Sequence, residues 1–174
     1  MPELLSDCYL IKNKLNIMES SVNRYIIRVY ALIIDLDNDI LISDEYQMDM
    51  RMIKFPGGGM HFGEGPIDCL KREAIEEFGQ EIVVLEHFYT TDYFQPAKFY
   101  DDAQLISIYY LAQFVEPIKF KVSTKLFNYG EEKNGAQSFR WVDLRKLQPG
   151  EMTFPVDQKV VELLKEKFLG HDKI

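Results

Sequence analysis

Residues 25–34 read YIIRVYALII, an apolar run rich in β-branched and aromatic side chains. Such a run, closed by turn residues, predicts a buried strand. Residues 35–39 are polar and read as a turn, and residues 40–43 return as a second strand. Pro56 followed by Gly57, Gly58 and Gly59 marks a sharp loop. A helix is predicted over residues 66–78: Pro66 suits its first position, Gly79 suits the residue just past its end, and Ile67, Leu70, Ala74 and Phe78 recur at helical spacing as its buried stripe. Residues 82–85 and the long apolar and aromatic run 105–115 read as strands. Residues 139–142 form a short strand after a polar loop with Gly130 and Gly135, and a second helix covers 156–168 with Val160, Val161, Leu163, Leu164 and Phe168 partly on one side. Strands mixed with few helices give an α/β or α+β sandwich.

The first helix carries an unusual charge pattern. At about 100° per residue, Glu73, Glu76 and Glu77 fall on an arc away from the apolar stripe. Glu73 lies three residues from Glu76 and four from Glu77, so each pair adjoins, at a cost of roughly 0.2–0.5 kcal/mol per like-charged pair. Glu76 and Glu77 also stand in the last turn, where the helix dipole disfavours anions. A bound divalent cation removes both penalties. Hard oxygen ligands suit Mg²⁺, which takes one or two carboxylates and completes its shell with water and phosphate oxygens. The glycine loop can bring a backbone carbonyl to the same ion, because glycine permits close backbone approach. The plainer alternative is a solvated acidic face, with Lys71 and Arg72 neutralising part of it.

Composition narrows the choice. The 174 residues carry a net charge of −8, with no run of Lys and Arg long enough to attract a nucleic-acid backbone, so no nucleic-acid partner is expected. A phosphate-bearing substrate would need cations to approach such a surface. Cys8 and Cys69 are too few for a disulfide framework and lack metal-ligand spacing, which fits free thiols in a reducing cytoplasm. The first residues have no basic start or long apolar run, and no stretch reaches the ~20 apolar residues of a membrane span. The expectation is a single cytoplasmic domain over residues 1–174, with 1–21 an N-terminal extension that could fold back or pack across a homodimer interface.

Residues 58–80 resemble the Nudix box, G-x5-E-x7-R-E-U-x-E-E-x-G-U with U apolar. Gly58, Glu64, Arg72, Glu73, Glu76, Glu77 and Gly79 match its seven fixed residues and Ala74 fills the first U; at about 1/15 per position, chance gives ~10⁻⁸ per window. The last U holds Gln80, and Ile82 and Val83 are expected to supply that apolar contact instead. A strand before the glycines and the Phe139-Arg140-Trp141-Val142 segment with its following helix extend the likeness. The resemblance implies an α/β Nudix fold, a mixed β-sheet between α-helices. It implies a Mg²⁺-dependent hydrolase of a nucleoside diphosphate linked to another moiety, with Mn²⁺ as a substitute metal.

It also implies roles for residues of this chain. Glu73 and Glu77 are the main metal ligands, with Glu76 a ligand or close partner and a carbonyl near Gly57 or Gly58 completing the site. Arg72 orients a glutamate, and Glu64 and Gly79 support the arrangement. The general base is Glu73 or an acid from another loop: Glu131 or Glu132, or Asp101 or Asp102. Family members often carry an acid just before the Trp-containing strand, where this chain has Gln137 and Ser138. Arg51 and Lys54 are candidate phosphate contacts. Tyr93 and Phe94 are candidate stacking residues for a base, with Tyr9, Tyr46 and Tyr100 behind them. His61 belongs beside the site rather than in it. The alternative function is a Nudix-like domain that binds a nucleotide or sugar without cleaving it, as sensor or scaffold. An isomerase of prenyl diphosphates, on a related fold, fits less well: it needs a cysteine in the sheet region, which neither Cys8 nor Cys69 supplies.

Overall fold

The computed structural model describes residues 22–170, so the N-terminal extension, with Cys8 and Tyr9, lies outside the described residues. Among the described residues, seven strands and two α-helices run in the order β1 (Arg24–Ile33), β2 (Asp39–Gln47), β3 (Met50–Lys54), β4 (Gly57–Gly59), α1 (Pro66–Phe78), β5 (Ile82–Thr90), β6 (Ala103–Phe114), β7 (Ala136–Asp143) and α2 (Pro155–Leu169), with a single 3₁₀ turn before α2. They build a four-stranded mixed sheet, β4-β1-β6-β5, and a three-stranded antiparallel sheet, β3-β2-β7. Strand β1 pairs in parallel with β6 and antiparallel with β4. Among the described residues no helix is long and apolar enough to cross a membrane.

The unbroken apolar run of β1 follows from burial on both faces. Tyr30 and Leu32 join one core with Ile40, Ile42, Tyr109 and the α2 residues Val156, Val160, Val161 and Leu164. Their neighbours Val29, Ala31 and Ile33 join the other with Leu41, Ala112 and the α1 residues Leu70, Ala74 and Phe78. A helix therefore covers each side, as the predicted fold requires. Phe78 anchors the end of α1 among Phe114, Phe120 and Phe139, with ring centres 5.2, 4.8 and 4.8 Å away. Aromatic contacts of that kind are worth about 0.5–1.5 kcal/mol each beyond area burial. Gly79 then ends the helix in the left-handed conformation, φ 64°, its N–H donating to the Ile75 carbonyl.

Several sequence expectations need correction. Ile67 is 44% exposed, and Cys69 takes its place in the buried stripe. Phe168 is likewise exposed near the end of α2. The glycines are a short strand rather than a free loop, with Gly57, Gly58 and Gly59 opposite Tyr30, Val29 and Arg28. Strand β3 follows β2 through a two-residue turn in which Met48 and Asp49 both have positive φ, 51° and 55°. Gln80 is buried, donating to the Pro117 carbonyl and accepting from the Lys119 N–H, so it ties down a loop. Ile82 supplies the apolar contact beside it, whereas Val83 is exposed.

One charge is buried in the core itself. Asp157, in the first turn of α2, accepts the Tyr109 hydroxyl at 2.7 Å through Oδ1, while Oδ2 has no hydrogen-bond partner among the described residues. Burial pushes this carboxyl from the ordinary 3.8 up to about 7, against the pull of the Tyr109 hydrogen bond and of Lys54 and Arg28. Because the folded state holds the proton more tightly, Asp157 stabilises the fold below its unfolded value and that contribution disappears as pH rises towards about 7. Asp157→Asn is expected to flatten the fall in stability between about pH 4 and pH 7, a slope of up to about 1.4 kcal/mol per pH unit. Urea midpoints of both proteins across that range test this; parallel pH profiles would refute it.

Candidate active site

Packing of α1 decides which glutamates face the cleft. With Leu70, Ala74 and Phe78 buried, Glu73 and Glu77 fall one turn apart on the flank beside β4, their side chains only 13% and 11% exposed, whereas Glu76 points outward at 56%. The carboxylate of Glu73 rests on Gly58: a Cβ there would lie 2.2–2.4 Å from Glu73 Oε1, Cδ and Oε2. Glu77 Oε2 accepts the Gly57 N–H at 2.9 Å. Gly57 has φ +129°, and a Cβ on it would meet the Val29 carbonyl oxygen at 2.2 Å. Glycine is needed at one position for close backbone contact and at the next for close carboxylate contact.

Arg72 organises the outer side. Its guanidinium donates to both oxygens of Glu64 (3.0 and 2.7 Å), to Glu73 Oε1 (2.9 Å), to Glu76 Oε2 (3.0 Å) and to the Gly59 carbonyl (3.0 Å). Arg72 holds the Glu64 carboxyl down at about 2, and Glu64 Oε1 also accepts the His61 N–H at 2.6 Å. Glu64 and Arg72 thus clip the loop to the helix, and Arg72 ties down the Glu73 carboxylate.

The inner side has a different composition. Lys54 is buried, donates to the Gly57 carbonyl at 2.8 Å, and pairs with Glu45 Oε1 at 2.8 Å. Burial pulls the Lys54 ammonium down, but Glu45 and Glu77 together hold it above the ordinary lysine value. Glu45 stands opposite Gln137 in the β2–β7 register. The Gln137 amide donates to Glu77 Oε1 at 2.8 Å and to Glu45 Oε1 at 2.9 Å. Burial pushes the Glu77 carboxyl up to about 7, with Lys54 opposing.

Together these groups line a cleft of about 310 Å³ whose walls include Arg28, Glu45, Tyr46, Lys54, Glu73, Glu77 and Gln137. Every carboxylate and carbonyl here is a hard oxygen donor, the chemistry that suits Mg²⁺. Among the described residues, however, no three His, Cys, Asp or Glu side chains converge on one point as ligands do.

Other predicted site residues lie elsewhere. Arg51 is exposed, bound to Glu132 and stacked over Phe127; it does not line the cleft. Glu131 and Glu132 are exposed loop acids outside the cleft, so neither is placed to act as base there. Asp102 is paired with Arg24 at 2.8 Å. Tyr93 and Phe94 are exposed, and they too are absent from the cleft walls, as is Tyr100, which packs under Arg24. Tyr46 does line the cleft. Lys54 is inside the site rather than on the surface. The sequence reading missed Arg28 and Glu45. Strand parity signals both, because Arg28 shares a face of β1 with Tyr30, and Glu45 shares a face of β2 with Ser43 and Gln47.

A comparison with curated protein sequences gives no match. Among solved structures, the MutT protein of Methanosarcina mazei Go1 superposes with a TM-score of 0.60 at 22% identity, covering 84% of this chain and 97% of that one. A Nudix hydrolase from Nitrosomonas europaea gives 0.60 at 17% identity, covering 83% and 90%. An ADP-ribose pyrophosphatase from Streptococcus suis gives 0.52 at 17%, covering 80% and 86%. At these identities the likeness speaks for the fold. The model of the NUDIX domain matches residues 24–164. With that match spanning well over half of its length and the box helix set against the glycine strand, the chain belongs to the Nudix family.

Proposed function

We propose that this protein is a divalent-metal-dependent hydrolase that cleaves a diphosphate linkage in a small nucleotide-like substrate. The observation that carries the reading is the seating of Glu73 and Glu77 against Gly58 and Gly57, which gathers box carboxylates and backbone carbonyls along one cleft. Glu73 and Glu77, the Gly57 or Gly58 carbonyl and, from the outer side, Glu76 would hold Mg²⁺. A metal bound there lowers the pKa of a coordinated water and neutralises phosphate charge. In the reaction, a water oxygen would attack one phosphorus of the diphosphate, and the bond from that phosphorus to the bridging oxygen would break, the bridging oxygen leaving with the other phosphate. Glu73 takes the proton of that water, its rotamer fixed by Arg72. Arg28, on the cleft wall, offers a guanidinium to phosphate oxygens. Gln137, where family members often carry an acid, donates to Glu77 rather than acting as a base.

Two observations favour a second reading. Arg72 binds both Glu73 and Glu76, and no ready-made ligand triad stands among the described residues. A domain that binds nucleotide without cleaving it would tolerate that arrangement. Incubation with a panel of nucleoside triphosphates, nucleoside diphosphate sugars and dinucleoside polyphosphates, with Mg²⁺ and with chelator, separates the two. The hydrolase reading expects at least one member cleaved only with metal, and product masses then give the cleaved bond. Saturable binding without cleavage across the panel would favour the sensor instead.

A further inference from the structure

Lys54 ends β3, two residues before Pro56, and its side chain turns inward so that only 4% remains exposed. Its ammonium donates to the Gly57 carbonyl at 2.8 Å, lies 2.8 Å from Glu45 Oε1 and 4.0 Å from Glu77 Oε1, and faces the Tyr30 ring with its centre 5.5 Å away. One carbonyl and two carboxylates around a cation are the donor types that hold a divalent ion. Glu45 is itself fixed by the Ser43 hydroxyl at 2.8 Å and the Gln137 amide at 2.9 Å. This pair, with Lys54 buried, is therefore part of the cleft's architecture and is not free to swing out to a substrate.

We propose that Lys54 is a resident counter-cation of the metal site: its ammonium, anchored by Glu45, competes with a divalent ion for the Gly57 carbonyl and the charge of Glu77, and so sets how tightly the site takes metal. This rests on the metal-dependent reading above and assigns Lys54 a positioning and affinity-setting role in place of a phosphate contact. A divalent ion and a buried ammonium sharing the same oxygen donors repel each other. Metal alone is then held weakly, and a phosphate-bearing substrate, by adding negative charge, favours metal entry. Glu45 sustains the effect, because without its carboxylate the ammonium would have one anionic partner fewer.

The test uses the full chain, without nucleotide, and reads Mn²⁺ binding from the electron paramagnetic resonance signal of the free ion. The site counted is the one lost in Glu77→Gln. Lys54→Met is expected to bind Mn²⁺ at least about tenfold more tightly than the wild type. Lys54→Arg, which keeps the positive charge, should bind Mn²⁺ about as weakly as the wild type. Mn²⁺ should also raise the melting temperature of Lys54→Met more than that of the wild type, a linkage readout that serves even where the variant is loose without metal. Unchanged or weaker Mn²⁺ affinity in Lys54→Met overturns the inference. So does an equal gain in Lys54→Arg, since packing rather than charge would then explain it. Absence of Glu77-dependent Mn²⁺ binding in every protein, the wild type included, would remove the metal-dependent reading itself.

Discussion

Replacing Glu77 by Gln is expected to lower metal-dependent turnover by roughly 10²–10³-fold or more, the scale seen when a preorganised electrostatic group is removed from a site, while the fold persists. Glu77 bridges the two halves of the cleft, accepting the Gly57 N–H through one oxygen and the Gln137 amide through the other. A glutamine keeps the length and can still accept from Gly57, so β4 should stay docked on α1. It loses the charge that attracts a cation, and its amide meets the Gln137 amide donor to donor. The carboxylate is nearly buried and its proton affinity is raised, so ionised Glu77 is held at some cost to the fold. The variant should therefore unfold no earlier than the wild type near neutral pH in the presence of chelator. Steady-state kinetics on whichever substrate the panel identifies, alongside circular dichroism and urea melts, check both halves. Full activity in a folded variant would defeat the assignment of Glu77.

Alanine at the two neighbouring glycines should fail in two different ways. At Gly57 the new Cβ would lie 2.2 Å from the Val29 carbonyl oxygen and 2.9 Å from Tyr30 Cα, in a backbone conformation with φ +129°. Both obstacles are main chain and cannot swing aside. Strain of about 1–3 kcal/mol from the backbone, added to a comparable overpacking term, should cost roughly 3–5 kcal/mol of stability. At Gly58 the obstacle is the Glu73 carboxylate at 2.2–2.4 Å, the far end of a side chain. It can move, but only by leaving its bond to Arg72 Nη1. Gly58→Ala should therefore remain folded, with a urea midpoint near the wild type, and lose turnover by about tenfold or more, the lower end of what misplaced ligand partners cost. Equal loss of stability in the two variants would show that Glu73 is not seated on Gly58 as described.

How legible each part was in the chain depended on how local its cause was. The box helix, with Pro66 at its start and Gly79 at its end, was readable because caps and 3.6-residue spacing act within a few turns. Ile67 was misassigned because its spacing suits the stripe while its first-turn position looks outward. The β2–β3 turn escaped notice because Met48 and Asp49 adopt positive φ without the usual Asn-Gly or Asp-Gly signal. Gln80 departs from the box pattern for a reason that lies some forty residues downstream, at Pro117 and Lys119.

By itself the sequence determined that α1 would present Glu73, Glu76 and Glu77 away from its apolar stripe, next to glycines able to approach them. Periodicity and residue type decide that before any tertiary contact forms. Only the folded chain decided which charges share the cleft. It drew in Arg28, Glu45, Lys54 and Gln137 from β1, β2, β3 and β7, and it left Arg51, Tyr93, Phe94, Glu131 and Glu132 outside. The physical reason is register: Glu45 meets Gln137 because β2 and β7 pair antiparallel, and Lys54 reaches Gly57 because the chain turns at Pro56 to lay β4 on β1. Pairings between strands about a hundred residues apart leave no mark in any short window of sequence, so their chemistry appears only when the sheets are assembled.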